Sequence, residues 1–65
     1  MITVTHLNGK TFVVNAELIK FVEETPDTVI TMRDGERVVV KERASDVVER
    51  AVSYARSVRS IVAGI

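Results

Sequence analysis

The sequence predicts an α+β fold, a small twisted antiparallel β-meander of about five strands followed by one C-terminal α-helix. Asn8-Gly9 and Asp34-Gly35 each separate short runs rich in valine, isoleucine, threonine and phenylalanine, which is the pattern of a tight hairpin. The last third of the chain instead repeats apolar residues at helical spacing. At 65 residues the chain is interpreted as a single domain, 1–65, with the sheet over 2–42 and the helix over 46–62.

The first hairpin is predicted to join strands over 2–7 and 10–14. A two-residue type I′ turn at Asn8-Gly9 needs positive φ at both positions, which these residue types tolerate best. Such a turn fixes the register so that Val4 faces Val13 across the pair. Apolar side chains then fall on both faces of the hairpin. Because one helix cannot cover both faces, the sequence predicts that a partner covers the second.

The middle of the chain predicts three further strands. Residues 18–24 are interpreted as the third strand, with a single helical turn at 16–20 as a further possibility. Pro26 and Asp27 indicate a turn, because proline presets φ and aspartate bonds to nearby backbone amides. Gly35 marks the second tight hairpin. In a two-residue loop Ile30 would face Val39, and both faces would again be apolar.

The C-terminal helix is predicted to have Ser45 as its N-cap and to end at Gly64. One apolar stripe follows a spacing of 4, 3, 4 and 3 and forms a heptad-like seam. This seam is the predicted contact with a partner or a second subunit, and it consists of Val47, Ala51, Tyr54, Val58 and Ile61. A second stripe beside it consists of Val48, Val52, Ala55 and Val62. One stripe can lie on the sheet and leave the other free. Alternatively, one wide stripe packs inside a curved sheet of the same chain.

The size of the chain favours a homo-oligomer. A single core in so short a chain supplies about 3–5 kcal/mol, and small scaffolds usually add a disulfide, a metal or a partner. Cysteine is absent, which excludes disulfides, and one histidine argues against a structural zinc site. Self-association or unusually good packing is then the expected source of stability.

The charge and hydropathy patterns argue against a nucleic-acid-binding protein, without excluding that class, and against a membrane protein. Nine basic and nine acidic residues cancel, whereas a nucleic-acid-binding protein normally carries net positive charge. No stretch approaches the ~20 apolar residues that a membrane span needs. The first residues lack the pattern of a secretory signal, so the sequence predicts a cytoplasmic protein without membrane insertion.

No catalytic constellation is visible, so we expect no enzymatic activity and no cofactor. His6 is interpreted as a half-exposed strand residue, since a pH switch or a catalytic base would need a partner carboxylate. Glu23, Glu24 and Asp27 are interpreted as a solvated turn, although three carboxylates could also suggest a cation site. Positive charge on the helix region indicates a solvated face, with an RNA contact as the alternative. The residues concerned are Arg43, Arg50, Arg56 and Arg59.

Several short strings taken together resemble one family. They are Leu7-Asn8-Gly9 with Phe12, then Asn15-Ala16-Glu17-Leu18-Ile19, then Glu24-Thr25-Pro26-Asp27-Thr28 with Ile30. In this order and separation they resemble the FlbD/SwrD family, very small bacterial proteins associated with flagellar motility and swarming. The likeness covers the chain from Ile2 to about Tyr54.

The resemblance implies a non-enzymatic accessory protein that raises flagellar motor power through protein–protein contacts. It implies a cytoplasmic location, peripheral at the motor, and partners among stator or basal-body components. Two other functions remain open at this point. One is a small β-rich RNA-binding regulator, and the other is a passive oligomeric assembly module.

Overall fold

A computed structural model describes the backbone of residues 1–63 and the side chains of residues 1–59. Five strands, one 3₁₀ helix and one α-helix follow one another within these residues. Their bounds are β1 Ile2–Thr5, β2 Thr11–Val14, the 3₁₀ helix Ala16–Leu18, β3 Ile19–Glu24, β4 Thr28–Met32, β5 Arg37–Val40 and α1 Ala44–Ala63. This order confirms the predicted α+β fold, and the 3₁₀ helix corresponds to the possible helical turn before the third strand.

The described strands form two antiparallel sheets. β1 pairs with β2, and β3, β4 and β5 form a three-stranded meander in that order. The two sheets meet where β1 runs beside β5, because His6 and Val40 form an isolated antiparallel bridge. The N–H of Lys41 also donates to the carbonyl oxygen of Thr5 at 2.8 Å. The edge of the first hairpin is therefore held against the edge of the second sheet.

Both glycine turns differ from the predicted two-residue turns. Gly9 and Gly35 have φ values of 91° and 93°, and among the described residues no other residue type has positive φ. Asn8 and Asp34 therefore do not adopt the conformation that a type I′ turn requires. The N–H of Gly9 donates to the carbonyl oxygen of His6 at 2.9 Å. Each loop thus has three residues, a type I turn followed by a left-handed glycine.

The extra loop residue shifts the register of the first hairpin by one position from the prediction. Val4 pairs with Phe12 rather than with Val13. A shift of one residue exchanges the faces of a strand. Ile2, Val4, Phe12 and Val14 consequently share its inner face. The outer face carries Thr3 and Thr11, with Val13 as the one apolar residue of the two strands on that side. The prediction that this hairpin is apolar on both faces is wrong.

The second hairpin shows the same shift. Ile30 pairs with Val38 rather than with Val39. Ile30 is fully buried, while Val39 is 37% exposed on the outer face of the sheet. Phe21 on the same outer face is 53% exposed, and the ammonium of Lys20 lies 5.2 Å from its ring centroid. Some apolar surface therefore remains exposed on this sheet.

The core lies between the inner faces of the two sheets and the first turns of the helix. Among the described side chains the buried aliphatic residues are Ile2, Val4, Val14, Ile30, Val40 and Val47. Val47 is the helical member and is fully buried. Phe12 and Tyr54 are half-buried and pack against this cluster. The helix is therefore fixed to the sheets through its N-terminal half.

The helix begins two residues earlier than predicted, and Ser45 lies within its first turn instead of at its N-cap. A carboxylate from a distant strand binds the helix start, since the Ala44 N–H donates to Oε1 of Glu24 at 2.8 Å. The partial positive charge of a helix N-terminus favours an anion at this position. Gly64, the predicted helix end, lies outside the described residues.

Replacing Glu24 with glutamine is expected to lower the free energy of unfolding by about 0.5 kcal/mol. The amide retains an oxygen acceptor for Ala44 but loses the charge that interacts with the helix dipole. Urea denaturation followed by circular dichroism measures the difference. Glu23→Gln is the matched control, because Glu23 is the exposed neighbour on the same strand. Equal losses in the two variants would contradict the assigned role of Glu24.

Candidate interaction site

A recess of about 310 Å³ lies between the 3₁₀ helix and α1. Apart from two charged side chains of opposite sign, its lining is apolar or aromatic. The lining residues are Ala16, Glu17, Ala51, Tyr54, Ala55, Val58 and Arg59. We call this cavity the helix recess. Its composition, apolar with a few charged groups, is that of a surface able to bind a protein segment.

The sequence before β3 shapes one side of the helix recess. Oδ1 of Asn15 accepts a hydrogen bond from the Glu17 N–H at 3.1 Å, and the Asn15 carbonyl accepts from the Leu18 N–H at 3.0 Å. The N–H of Arg33 donates to the Leu18 carbonyl oxygen at 2.8 Å. These bonds fix the 3₁₀ helix at both ends, so Ala16 and Glu17 are held in position beside α1.

The predicted contact seam is divided in the structure. Ala51, Tyr54 and Val58 line the helix recess. Val47 is fully buried within its own chain, so in this conformation it is not available to a partner. The side chain of Ile61 lies outside the described residues. A partner contact at the three recess residues remains a prediction.

The second helical stripe faces solvent where its side chains are described. Val48 is 50% exposed and Val52 is 42% exposed, and Ala55 is also exposed. The side chain of Val62 lies outside the described residues. Every side chain from Ala55 to Arg59 is exposed. A 20-residue helix is about 30 Å long, and its C-terminal half extends away from the core.

A carboxylate network that the sequence did not reveal fastens β1 to the helix. The N–H and the Oγ1 hydroxyl of Thr5 donate to Oε1 and Oε2 of Glu42, each at 2.8 Å. Nη1 of Arg50 donates to Oε2 of Glu42 at 3.2 Å and to the carbonyl oxygen of Thr3 at 2.7 Å. Arg50 was interpreted as part of a solvated basic face. The structure instead pairs it with a carboxylate.

The electrostatics of Glu42 follow from these bonds. Burial raises the pKa of its carboxyl group, but the hydrogen bonds from Thr5, from its own backbone N–H and from Arg50 lower it by more. The net pKa is lowered from the ordinary value of 4.5. Its side chain is only 11% exposed, against 46% for Arg50. The charged form of Glu42 therefore stabilises the junction of β1, β5 and α1.

The predicted structural corners lie in loops. Asn8 caps its own turn, since its Oδ1 accepts from the Lys10 N–H at 2.9 Å. The peptide bond between Thr25 and Pro26 is cis, and the Thr25 N–H donates to the Asp27 carbonyl oxygen at 3.1 Å. Asn8, Gly9, Pro26, Asp27 and Gly35 all lie between strands, at turns or bends of the backbone.

His6 lies next to the first turn and is half-buried. Its ring stacks on Phe12 with the ring centroids 3.8 Å apart and the planes at 17°. Among the described residues, no group of three or more histidine, cysteine, aspartate or glutamate side chains is placed to hold a metal ion. No helix in the described part of the chain is both long enough and apolar enough to cross a membrane.

The fold and its surface define a small α+β protein with an apolar recess beside a projecting helix. The chain belongs to the FlbD family, flagellar and swarming motility proteins, because the model of that family matches residues 1–59. The match confirms the resemblance in the sequence. No curated protein and no solved structure matches this chain.

Proposed function

We propose that this protein is a non-enzymatic accessory protein of the bacterial flagellar motor. It supports motor power and swarming through protein–protein contacts, in the cytoplasm and peripheral to the motor. The partner is a stator or basal-body component. The observation that carries the proposal is membership of the flagellar and swarming motility family over residues 1–59.

The helix recess supports a contact mechanism. Tyr54 presents an aromatic ring beside small and branched apolar side chains, and aromatic residues in such surroundings are enriched at protein interfaces. Glu17 and Arg59 supply opposite charges that can orient a bound segment. The recess is thus suited to an apolar segment of a motor protein with a polar group at each end.

Replacing Val58 with aspartate is expected to remove most of the torque that the protein contributes. A carboxylate placed in an apolar contact loses its hydration, which costs about 2 kcal/mol or more. Torque is measured from the rotation of tethered beads in cells that lack the native protein and express the variant. Ser57→Asp is the matched control, since it places the same charge on the adjacent exposed position outside the recess.

The torque comparison needs controls for expression and folding, and a deletion strain. Both variants must reach the same cellular level and show the same circular dichroism as the unmodified chain. Unchanged torque after deletion of the protein would reject the motor-power role and favour a passive assembly module. Equal torque loss in Val58→Asp and Ser57→Asp would place the contact outside the helix recess.

A further inference from the structure

We propose that a second copy of this chain packs antiparallel along the exposed stripe of α1. The outer stripe, as we call it, consists of Val48, Val52 and Ala55. It adjoins the helix recess and shares Ala55 with the recess lining, whereas Val48 and Val52 lie outside the recess. The inference does not depend on the motor role.

The outer stripe has the pattern of a helix–helix seam. Its members are separated by four and three residues, the spacing of core positions in a coiled coil. Val48 and Val52 are 50% and 42% exposed although both are branched aliphatic residues. Arg59 continues the spacing, and its long apolar stem can cover Val48 of the other copy while its charge stays in water.

The charges beside the outer stripe are self-complementary. Glu49 and Arg56 are seven residues apart, so they flank the stripe on the same side two turns from each other. A two-fold axis near Ser53 brings Glu49 of one copy next to Arg56 of the other, and the same pair forms a second time by symmetry. This match favours a copy of the same chain over an unrelated helix.

A parallel arrangement lacks this charge match. In a parallel coiled coil, a residue that flanks the seam on one side of its helix contacts a residue that flanks the seam on the opposite side of the second helix. The positions that would face Glu49 and Arg56 in a parallel pair hold Ala44 and Ala51 here. Within the part of the chain whose side chains are described, neither Glu49 nor Arg56 forms a salt bridge. Both charges are therefore available to the antiparallel copy.

Near the start of α1, other faces of the helix already make contacts within the same chain. Val47 packs in the core, and Arg50 bonds to Glu42 and to the Thr3 carbonyl. The C-terminal half has no such support, since every described side chain from Ala55 to Arg59 is exposed. Short helices without tertiary packing are marginal in water. Antiparallel pairing supplies that packing to both copies.

Charge reversal tests the pairing by sedimentation equilibrium over a range of protein concentrations. Glu49→Arg and Arg56→Glu should each weaken the dimer about tenfold, because each replaces two attractive contacts with two repulsive ones. The double variant should recover the unmodified affinity. An equimolar mixture of the two single variants should form heterodimers more tightly than either forms homodimers.

Two outcomes of the sedimentation experiment would overturn the proposal. One is an unmodified chain that remains monomeric up to millimolar concentration. The other is a double variant that associates no better than the single variants. Both positions are exposed, and unchanged circular dichroism confirms that the variants fold. Val58→Asp torque measurements are a separate readout, so failure of the dimer leaves the motor proposal standing.

Disulfide trapping tests the orientation, since the chain contains no cysteine of its own. In the antiparallel pair the two copies of position 48 are about 15 Å apart along the axis, beyond the reach of a disulfide. Val48→Cys should therefore not cross-link to itself, whereas Val52→Cys should cross-link to Ala55→Cys in a mixture. Rapid self-cross-linking of Val48→Cys would indicate a parallel pair and contradict the proposal.

Discussion

Replacing Ile30 with alanine is expected to cost about 2–5 kcal/mol and to leave much of the protein unfolded at 25 °C. Ile30 is fully buried in β4, the central strand of the three-stranded sheet. The lost methylene groups and the cavity both lower the free energy of unfolding. A core in a chain of this size contributes about 3–5 kcal/mol in total, so one such loss is comparable with the whole stability.

Two variants calibrate this expectation in urea denaturation followed by circular dichroism. Ile30→Val should cost about 0.5–1.5 kcal/mol, since it removes one methylene from the same position. Val39→Ala should cost less than about 1 kcal/mol, because Val39 is 37% exposed on the outer face. A Val39→Ala loss as large as that of Ile30→Ala would contradict the observed register.

The element order was predictable because its signals are local. A glycine turn between β-rich runs, a proline turn and a helical apolar spacing each involve residues close together in the chain. The register was not predictable from the same signals. Asn-Gly and Asp-Gly serve both the two-residue type I′ turn and the three-residue loop that ends in a left-handed glycine. Here Gly9 and Gly35 alone take positive φ among the described residues, which selects the longer loop.

The helix start and the docked helix face depend on distant contacts. Ser45 satisfies the local rule for an N-cap, but Glu24, 20 residues away, binds the N–H of Ala44 instead. The sequence contains two adjacent apolar stripes and does not specify which one lies on the sheet. The position of α1 against β1 and β3 places Val47 in the core and leaves Val52 exposed.

The candidate site was only partly predictable, because part of it also depends on contacts between residues that are distant in the sequence. Ala51, Tyr54 and Val58 were identified from helical spacing, since spacing alone places them on one face. The contribution of Ala16 and Glu17 depends on how the 3₁₀ helix packs against α1. The Thr5–Glu42 contact joins residues 37 positions apart, and the isolated bridge between His6 and Val40 brings these two parts of the chain together.

Acidification is expected to destabilise the protein through Glu42. Burial raises the pKa of this carboxyl, its hydrogen bonds lower it by more, and the pKa in the folded state is therefore below the ordinary 4.5. A group with a lowered folded-state pKa stabilises the fold at pH values above its unfolded pKa. This contribution is lost as the pH falls through the folded pKa. The free energy of unfolding should thus decrease as the pH falls below about 4.5.

Glu42→Gln separates this effect from general acid denaturation. At pH 7 the variant should lose about 1–3 kcal/mol, because a charge-assisted acceptor for Thr5 and Arg50 is replaced by a neutral amide. As the pH falls through the lowered folded-state pKa of Glu42, the unmodified chain also becomes neutral at this position, so the difference in the free energy of unfolding between the two proteins should narrow. Urea denaturation at a series of pH values measures both quantities.

Two comparisons determine whether Glu42 acts through its charge. Arg50→Gln should cost less than Glu42→Gln, because the Arg50 side chain is 46% exposed and its salt bridge is partly screened by water. Glu23→Gln removes one negative charge from an exposed position and controls for net charge. A difference in the free energy of unfolding between Glu42→Gln and the unmodified chain that stays constant as the pH is lowered from 7 until the protein unfolds would mean that Glu42 contributes shape alone. A narrowing gap means that its negative charge holds β1 to the helix.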